Sequence, residues 1–119
     1  MTVPVEITDD VARGLLPVKA MLGFYIGGMG AKQRNFHKEL MARMGYEAEA
    51  EKIQDLFMEG RRWEAVAMLP DRFADEISLV GPRERIKERL QEWKKTPITA
   101  LLLASREPEV LRTMAELVL

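Results

Sequence analysis

Two periods run through the apolar residues of this chain. Val3, Val5 and Ile7 alternate with Pro4 and Glu6, the two-residue period of a strand, and Thr8-Asp9-Asp10 follow with side chains suited to capping a helix. From Val11 to about Ile26 the spacing lengthens to three and four, through Leu15, Val18, Leu22 and Tyr25, which predicts a helix. Pro17 should kink it, and Gly27-Gly28-Met29-Gly30 should end it. Phe36, Leu40 and Met44 form the stripe of a second helix over about Lys32 to Met44, with Gly45 at its C-terminal cap. A third helix is expected over about Ala48 to Met58, closed by Gly60. A fourth, Arg62 to about Leu69, stops at Pro70, and Asp71 to Ala74 adds one turn.

Beyond this helical block the short period returns. Ile77 to Val80 reads as a strand, and Gly81-Pro82 places proline at the first position of a helix that ends near Lys95 and turns Ile86, Leu90 and Trp93 inward. Ile98 to Ala104 is the last strand. Its Ala100 to Ala104 stretch is apolar without alternation, as in a strand covered on both faces. Glu107 to Leu119 closes the chain as a helix with Val110, Leu111, Met114 and Leu117 inward. Strand, crossover helix and strand predict a parallel sheet. The expected fold is helix-rich α/β, with about three parallel strands and six to seven helices in one domain over residues 1–119.

Composition removes several functions. A 119-residue chain that is 47% hydrophobic can bury a core, and 18 basic against 19 acidic residues give a net charge of −1 with no block of either sign. No field attracts nucleic acid or an anionic membrane. Without cysteine there is no disulfide, thiolate nucleophile or zinc ribbon, as suits a cytoplasmic protein. No apolar run approaches the roughly 20 residues of a membrane span, and the first residues lack the plan of a signal peptide.

Candidate chemistry is sparse. Gly27, Gly28 and Gly30 could offer bare amides to a phosphate, with Lys32 and Arg34 as charge partners. They follow a helix, however, whereas the dinucleotide fingerprint follows a strand, so a helix–helix turn is the plainer reading. Gly81-Pro82-Arg83 stands at the C-terminal end of a parallel strand, where open sheets and βα barrels place ligands, although the same residues also suffice to make a turn and start a helix. His37, beside Lys38 and Glu39, reads as a surface residue, and Glu47, Glu49, Glu51 and Asp55 spread around a helix as a solvated face. The eight methionines read as core filler. Ser78 and Ser105 lack the context of a nucleophile elbow, and no catalytic or metal-ligating set emerges.

Taken in order, Phe24-Tyr25-Ile26-Gly27-Gly28-Met29-Gly30, Asn35-Phe36, Arg43-Met44-Gly45-Tyr46, Ile53-Gln54-Asp55-Leu56-Phe57 and the Ile77 to Arg85 segment resemble the C-terminal part of the luciferase-like monooxygenase family, in the branch that uses the deazaflavin coenzyme F-420. Val3 to Asp10 looks like a late barrel strand of the same proteins. The resemblance implies a βα-barrel oxidoreductase with a deazaflavin, or FMN, across its C-terminal face, exchanging hydride with a substrate such as a tetrahydromethanopterin or an alcohol. It implies Gly27, Gly28, Gly30, Gly81 and Arg83 as cofactor-binding positions, with the Ser105-Arg106 turn near the active face. A complete barrel takes roughly 250 residues, so this chain corresponds to a partial (β/α) barrel without the strands that carry most of the pocket. Its sheet should have two bare edges and an uncovered apolar face, calling for a homo-oligomer or the missing N-terminal barrel part as partner. Expected functions are a segment of the oxidoreductase that is not competent alone, or a non-catalytic oligomeric structural or binding module.

Overall fold

The computed structural model describes residues 2–29 and 34–119. Along the chain the elements are β1 (Thr2–Ile7), α1 (Val11–Gly14), α2 (Leu16–Gly28), α3 (Phe36–Met41), α4 (Glu47–Met58), α5 (Arg62–Ala67), α6 (Asp71–Glu76), β2 (Leu79–Gly81), α7 (Arg83–Lys94), β3 (Leu102–Ala104) and α8 (Pro108–Val118). They fall into two compact units, residues 2–15 with 75–119, and residues 16–74.

The first unit holds the sheet. Its three strands are parallel, as expected, and lie in the order β2-β1-β3 in an open sheet. Val5, Glu6 and Ile7 pair with Leu79, Val80 and Gly81, while Thr2, Val3 and Pro4 pair with Leu102, Leu103 and Ala104. The upper half of β1 therefore bonds to one neighbour and the lower half to the other. Pro4, which lacks an N–H and is unexpected in a central strand, stands at the changeover.

Alternation along β1 sorts the faces. Val3, Val5 and Leu79 point to one side, where α7 and α8 bring Ile86, Leu90, Val110 and Met114 to form the core, with Ile7, Trp93, Leu101, Leu103 and Leu117 packed around it. On the other side Val80, in register with Glu6, is fully buried beneath α1. A Cβ at Gly14 would lie 2.6 Å from Thr8 Cγ2 and 2.7 Å from Val80 Cγ1, so glycine is what admits α1 to that face. The expectation that the last strand is covered on both faces fails here. Only residues 102–104 are strand, and Leu102 is 64% exposed, because β3 is an edge whose one covered side carries Leu103. Leu111, expected inward, is 46% exposed; α8 turns Val110 and Met114 to the core instead.

Ahead of β2 the chain is clamped. Arg85 donates to both carboxylate oxygens of Asp75, at 3.0 and 2.7 Å, and to the Val80 carbonyl. Arg89 donates to the same carboxylate at 3.2 Å and to the Asp75 carbonyl. The bond from Asp75 raises the Arg85 pKa further above its usual value, so that Arg85 is cationic throughout the accessible pH range. Arg89 Nε is buried with no hydrogen-bond partner among the described residues.

The second unit is helical. The expected helix from Val11 is broken at Leu15, because Pro17 lacks an N–H and its ring crowds the preceding turn. As expected, the helix that follows ends within the Gly27–Gly30 stretch, with Gly27 and Gly28 as its last two residues. Asn35 caps α3, accepting from Lys38 N at 3.0 Å and donating to the Ile26 carbonyl at 2.7 Å, which places the helix start later than Lys32. Gly45, with φ +96°, turns the chain within a π segment over Ala42–Tyr46, and Gly60, with φ +80°, closes α4. Ile26, Met41, Ile53, Leu56, Ala65, Leu69 and Phe73 are buried in this unit. Lys38 reaches Gln54 Oε1 at 2.8 Å and Glu51 at 2.6 Å, whereas Gln54 Nε2 is buried without a partner among the described residues.

Asp75→Ala leaves two half-buried guanidinium groups without their counter-charge. It is expected to lower stability by about 2 kcal/mol, since hydrogen bonds to charged groups contribute about 1.5–3 kcal/mol and partial exposure reduces the Coulomb part. Urea unfolding of the variant checks this; a loss below about 0.5 kcal/mol, the range of an ordinary surface change, would show that the clamp is dispensable.

Candidate functional site

The C-terminal edge of the sheet carries the loops that a ligand would meet. After β1, Thr8 N donates to the Gly81 carbonyl at 3.0 Å, tying this loop to the end of β2. Thr8 Oγ1 accepts from Asp10 N at 3.1 Å, and the Asp10 carboxylate caps α1 by accepting from Arg13 N at 3.1 Å. After β2, Gly81 takes φ +138°, a conformation that side chains rarely adopt, and a Cβ there would lie 2.8 Å from Arg85 Cδ. Pro82 is the N-cap of α7, with φ −63° and ψ 157°, one place earlier than the sequence suggests. A proline N-cap has no side-chain acceptor, so the N-cap residue itself leaves the first-turn amides of α7 without a side-chain cap. Arg83 at the start of that helix pairs with Glu116 at 2.6 Å on the surface, an exposed bond of small energy. After β3, Ser105 Oγ accepts from Glu107 N at 3.2 Å.

Strand order adds a feature that the sequence conceals. The loop after β1 leads to α1 on the Val80 face, and the loop after β3 leads to α8 on the opposite, core face. Adjacent strands whose connections leave on opposite faces define a switch point, and in open sheets ligands lie in the crevice at its carboxyl ends. Here β3 ends opposite Pro4 while β1 continues to Ile7, which leaves Thr8 to Asp10 and Ser105 to Glu107 flanking the gap. No local pattern signals this, because the order of strands is set by pairings between residues far apart in the chain.

The other sequence-derived candidates lie elsewhere. Gly27 and Gly28 belong to the helical unit, where a Cβ would fall 2.5 Å from Phe57 Cβ and 2.6 Å from Phe57 Cε1 respectively; the two glycines make room for that ring. Gly30 lies outside the described residues, as does Lys32. His37 is half-buried rather than a simple surface residue, its ring 4.8 Å from that of Tyr25. Among the described residues no three His, Cys, Asp or Glu side chains gather as metal ligands, and no helix is long and apolar enough to cross a membrane.

Residues 2–100 match the family model described as luciferase-like monooxygenase. The chain belongs to that family. Within it, the chain is 34% identical over 117 residues to a Mycobacterium tuberculosis protein that bears the name of a coenzyme F-420-dependent oxidoreductase. That match takes in 98% of this chain and 34% of the relative, so the chain spans about a third of its length. No solved structure matches. For a family cofactor with an anionic end, the described residues offer one fitting feature, the uncapped amides at the start of α7 beside Arg83.

The glycine geometry yields two predictions. Gly27→Ala meets the root of the Phe57 side chain and is expected to cost about 1–3 kcal/mol as an overpacked contact. Gly28→Ala, at the last residue of α2, meets the ring's far edge, which can swing away, and is expected to cost less than about 1 kcal/mol. Thermal melts of the two variants check the contrast, and equal losses would count against it. Gly81→Ala is expected to lose about 2 kcal/mol through its positive φ and its collision with Arg85, again measurable by urea unfolding.

Proposed function

We propose that this chain serves deazaflavin-dependent hydride transfer as the C-terminal part of a luciferase-like barrel, contributing the wall that holds the anionic end of the cofactor. The observation that carries this reading is the β2–α7 junction. There Gly81 supplies a turn closed to other residues, Pro82 leaves the first-turn amides of α7 uncapped, and Arg83 stands exposed beside them. Amides aligned at a helix start favour an anion, and an exposed arginine can exchange Glu116 for a stronger bidentate partner. When bound, the deazaflavin supplies the hydride chemistry; this chain's own groups bind and orient. Deazaflavin is preferred to FMN because the relative's name specifies coenzyme F-420. The site of action is the cytoplasm, in keeping with a chain free of cysteine.

Because the chain spans about a third of its relative, the remaining walls of the pocket come from further barrel strands, in this or another polypeptide. The exposed Leu102 on edge strand β3 favours a second reading, in which the chain is an oligomeric module that no longer catalyses.

Titration of coenzyme F-420 into the purified chain, followed by deazaflavin fluorescence with mass read by light scattering, separates the two. Saturable binding that Arg83→Glu weakens by about tenfold, roughly 1.4 kcal/mol, is expected. Absence of binding at high micromolar cofactor, with a defined oligomer in the scattering, would overturn the first reading in favour of the second.

A further inference from the structure

β3 and α8 together form a C-terminal piece, residues 102–118, that belongs to the sheet unit. β3 pairs with Thr2, Val3 and Pro4 of β1, and α8 sends Val110 and Met114 into the core. Its ion pair to the start of α7, Arg83 with Glu116 at 2.6 Å, is exposed and adds little. The opposite edge of the sheet is held more firmly, since Asp75 binds both Arg85 and Arg89 beside β2.

The link to this piece has the composition of a strand without being one. Residues 95–101, between α7 and β3, form neither helix nor strand. Yet no residue from Thr96 to Ser105 is charged, and the apolar run Ile98 to Ala104 enters the sheet only with its last three residues. Edge strands are commonly guarded by a charge or a bulge, and this run carries no charge. Pro97 crowds Thr96 toward extended backbone, the conformation that an open hinge takes.

We propose that β3 and α8 exchange between two copies of this chain, each copy laying its own C-terminal piece along the β1 of the other. The seat fits its occupant because the incoming segment is the one it already holds. Every contact of the closed chain is remade between copies, so the two forms differ at the hinge and in the concentration that drives association. At the hinge the dimer gains. About a two-fold axis the two 95–101 segments run antiparallel, and Ile98 to Leu101, outside any strand in the closed chain, acquire a partner of identical and uncharged sequence. The proposal rests on the oligomeric reading given above, to which it assigns a definite contact, and it holds whether or not a cofactor binds.

The chain has no cysteine, so introduced cysteines report the pairing without interference. Thr2 and Leu102 are exposed register partners, and neighbouring strands lie about 4.8 Å apart, within the reach of a disulfide. Full-length Thr2→Cys and Leu102→Cys copies are mixed in mild urea, returned to buffer and oxidised with glutathione. Non-reducing gels read the covalent species, and light scattering reads the mass of these samples and of the unsubstituted chain. The expected result is a dimer whose share rises with concentration, and a covalent heterodimer that forms in the mixture and in neither variant alone. A chain carrying both substitutions should likewise cross-link into dimers as its concentration rises. An unsubstituted chain that stays monomeric at every concentration would overturn the proposal and the oligomeric reading together. A dimer whose mixed copies give no covalent heterodimer, or in which Leu102→Cys cross-links with itself as edge-to-edge pairing requires, would overturn the exchange and leave the oligomeric reading standing.

Discussion

The sheet unit depends on the grip of two arginines on one aspartate. β2 is three residues long, too short to hold its own register by pairing alone, yet it aligns the end of β1 and launches α7. Arg85 reaches back across it, holding Asp75 on one side and the Val80 carbonyl on the other, and Arg89 adds a second hold on Asp75. The residues before and at the strand are thereby fixed to the helix after it. With that helix held, Ile86 and Leu90 meet Val3 and Val5, and the core closes. The charges themselves contribute modestly, because both arginines and the aspartate keep part of their surface in water.

Much of this was legible in the residue pattern, and the reasons differ between elements. The stripes of α7 and α8 were readable because helices bury one face at a period that composition preserves, so Ile86, Leu90, Val110 and Met114 fall inside. The last strand was misread because an apolar run looks the same whether both faces are covered or one face lies open at an edge, and Leu102 is open. Gly27 and Gly28 were read as the end of α2, where the helix does stop, but not as the place where a ring packs: nothing local announces the Phe57 ring, thirty residues further along the chain. Within the candidate site, Gly81 and Arg83 were visible because a turn after a strand has a signature, whereas the gap between β1 and β3 arises only from the strand order.

Membership of a barrel family and an open sheet with β1 in the middle are compatible once the length is considered. The strands keep the parallel direction and the helix-covered face of a βα architecture, and the pairing partners are those available within the chain. The carboxyl edge, where such architectures place their chemistry, remains formed at the β2–α7 junction, and this is why the functional proposal rests there.

The placement of β1 has a consequence for biosynthesis. β1 is translated before both strands that flank it in the sheet, and its partners lie at Leu79 to Gly81 and at Leu102 to Ala104. At roughly 5–20 residues per second, several seconds pass before either partner is translated. During that time Val3, Val5 and Ile7 are a nascent apolar segment whose partners in this sheet are still to be made, while the helices of residues 16–74 can form from local contacts. Pro4 in their midst then has a use unconnected with the finished fold: a residue without an N–H is a poor template for pairing with the wrong strand.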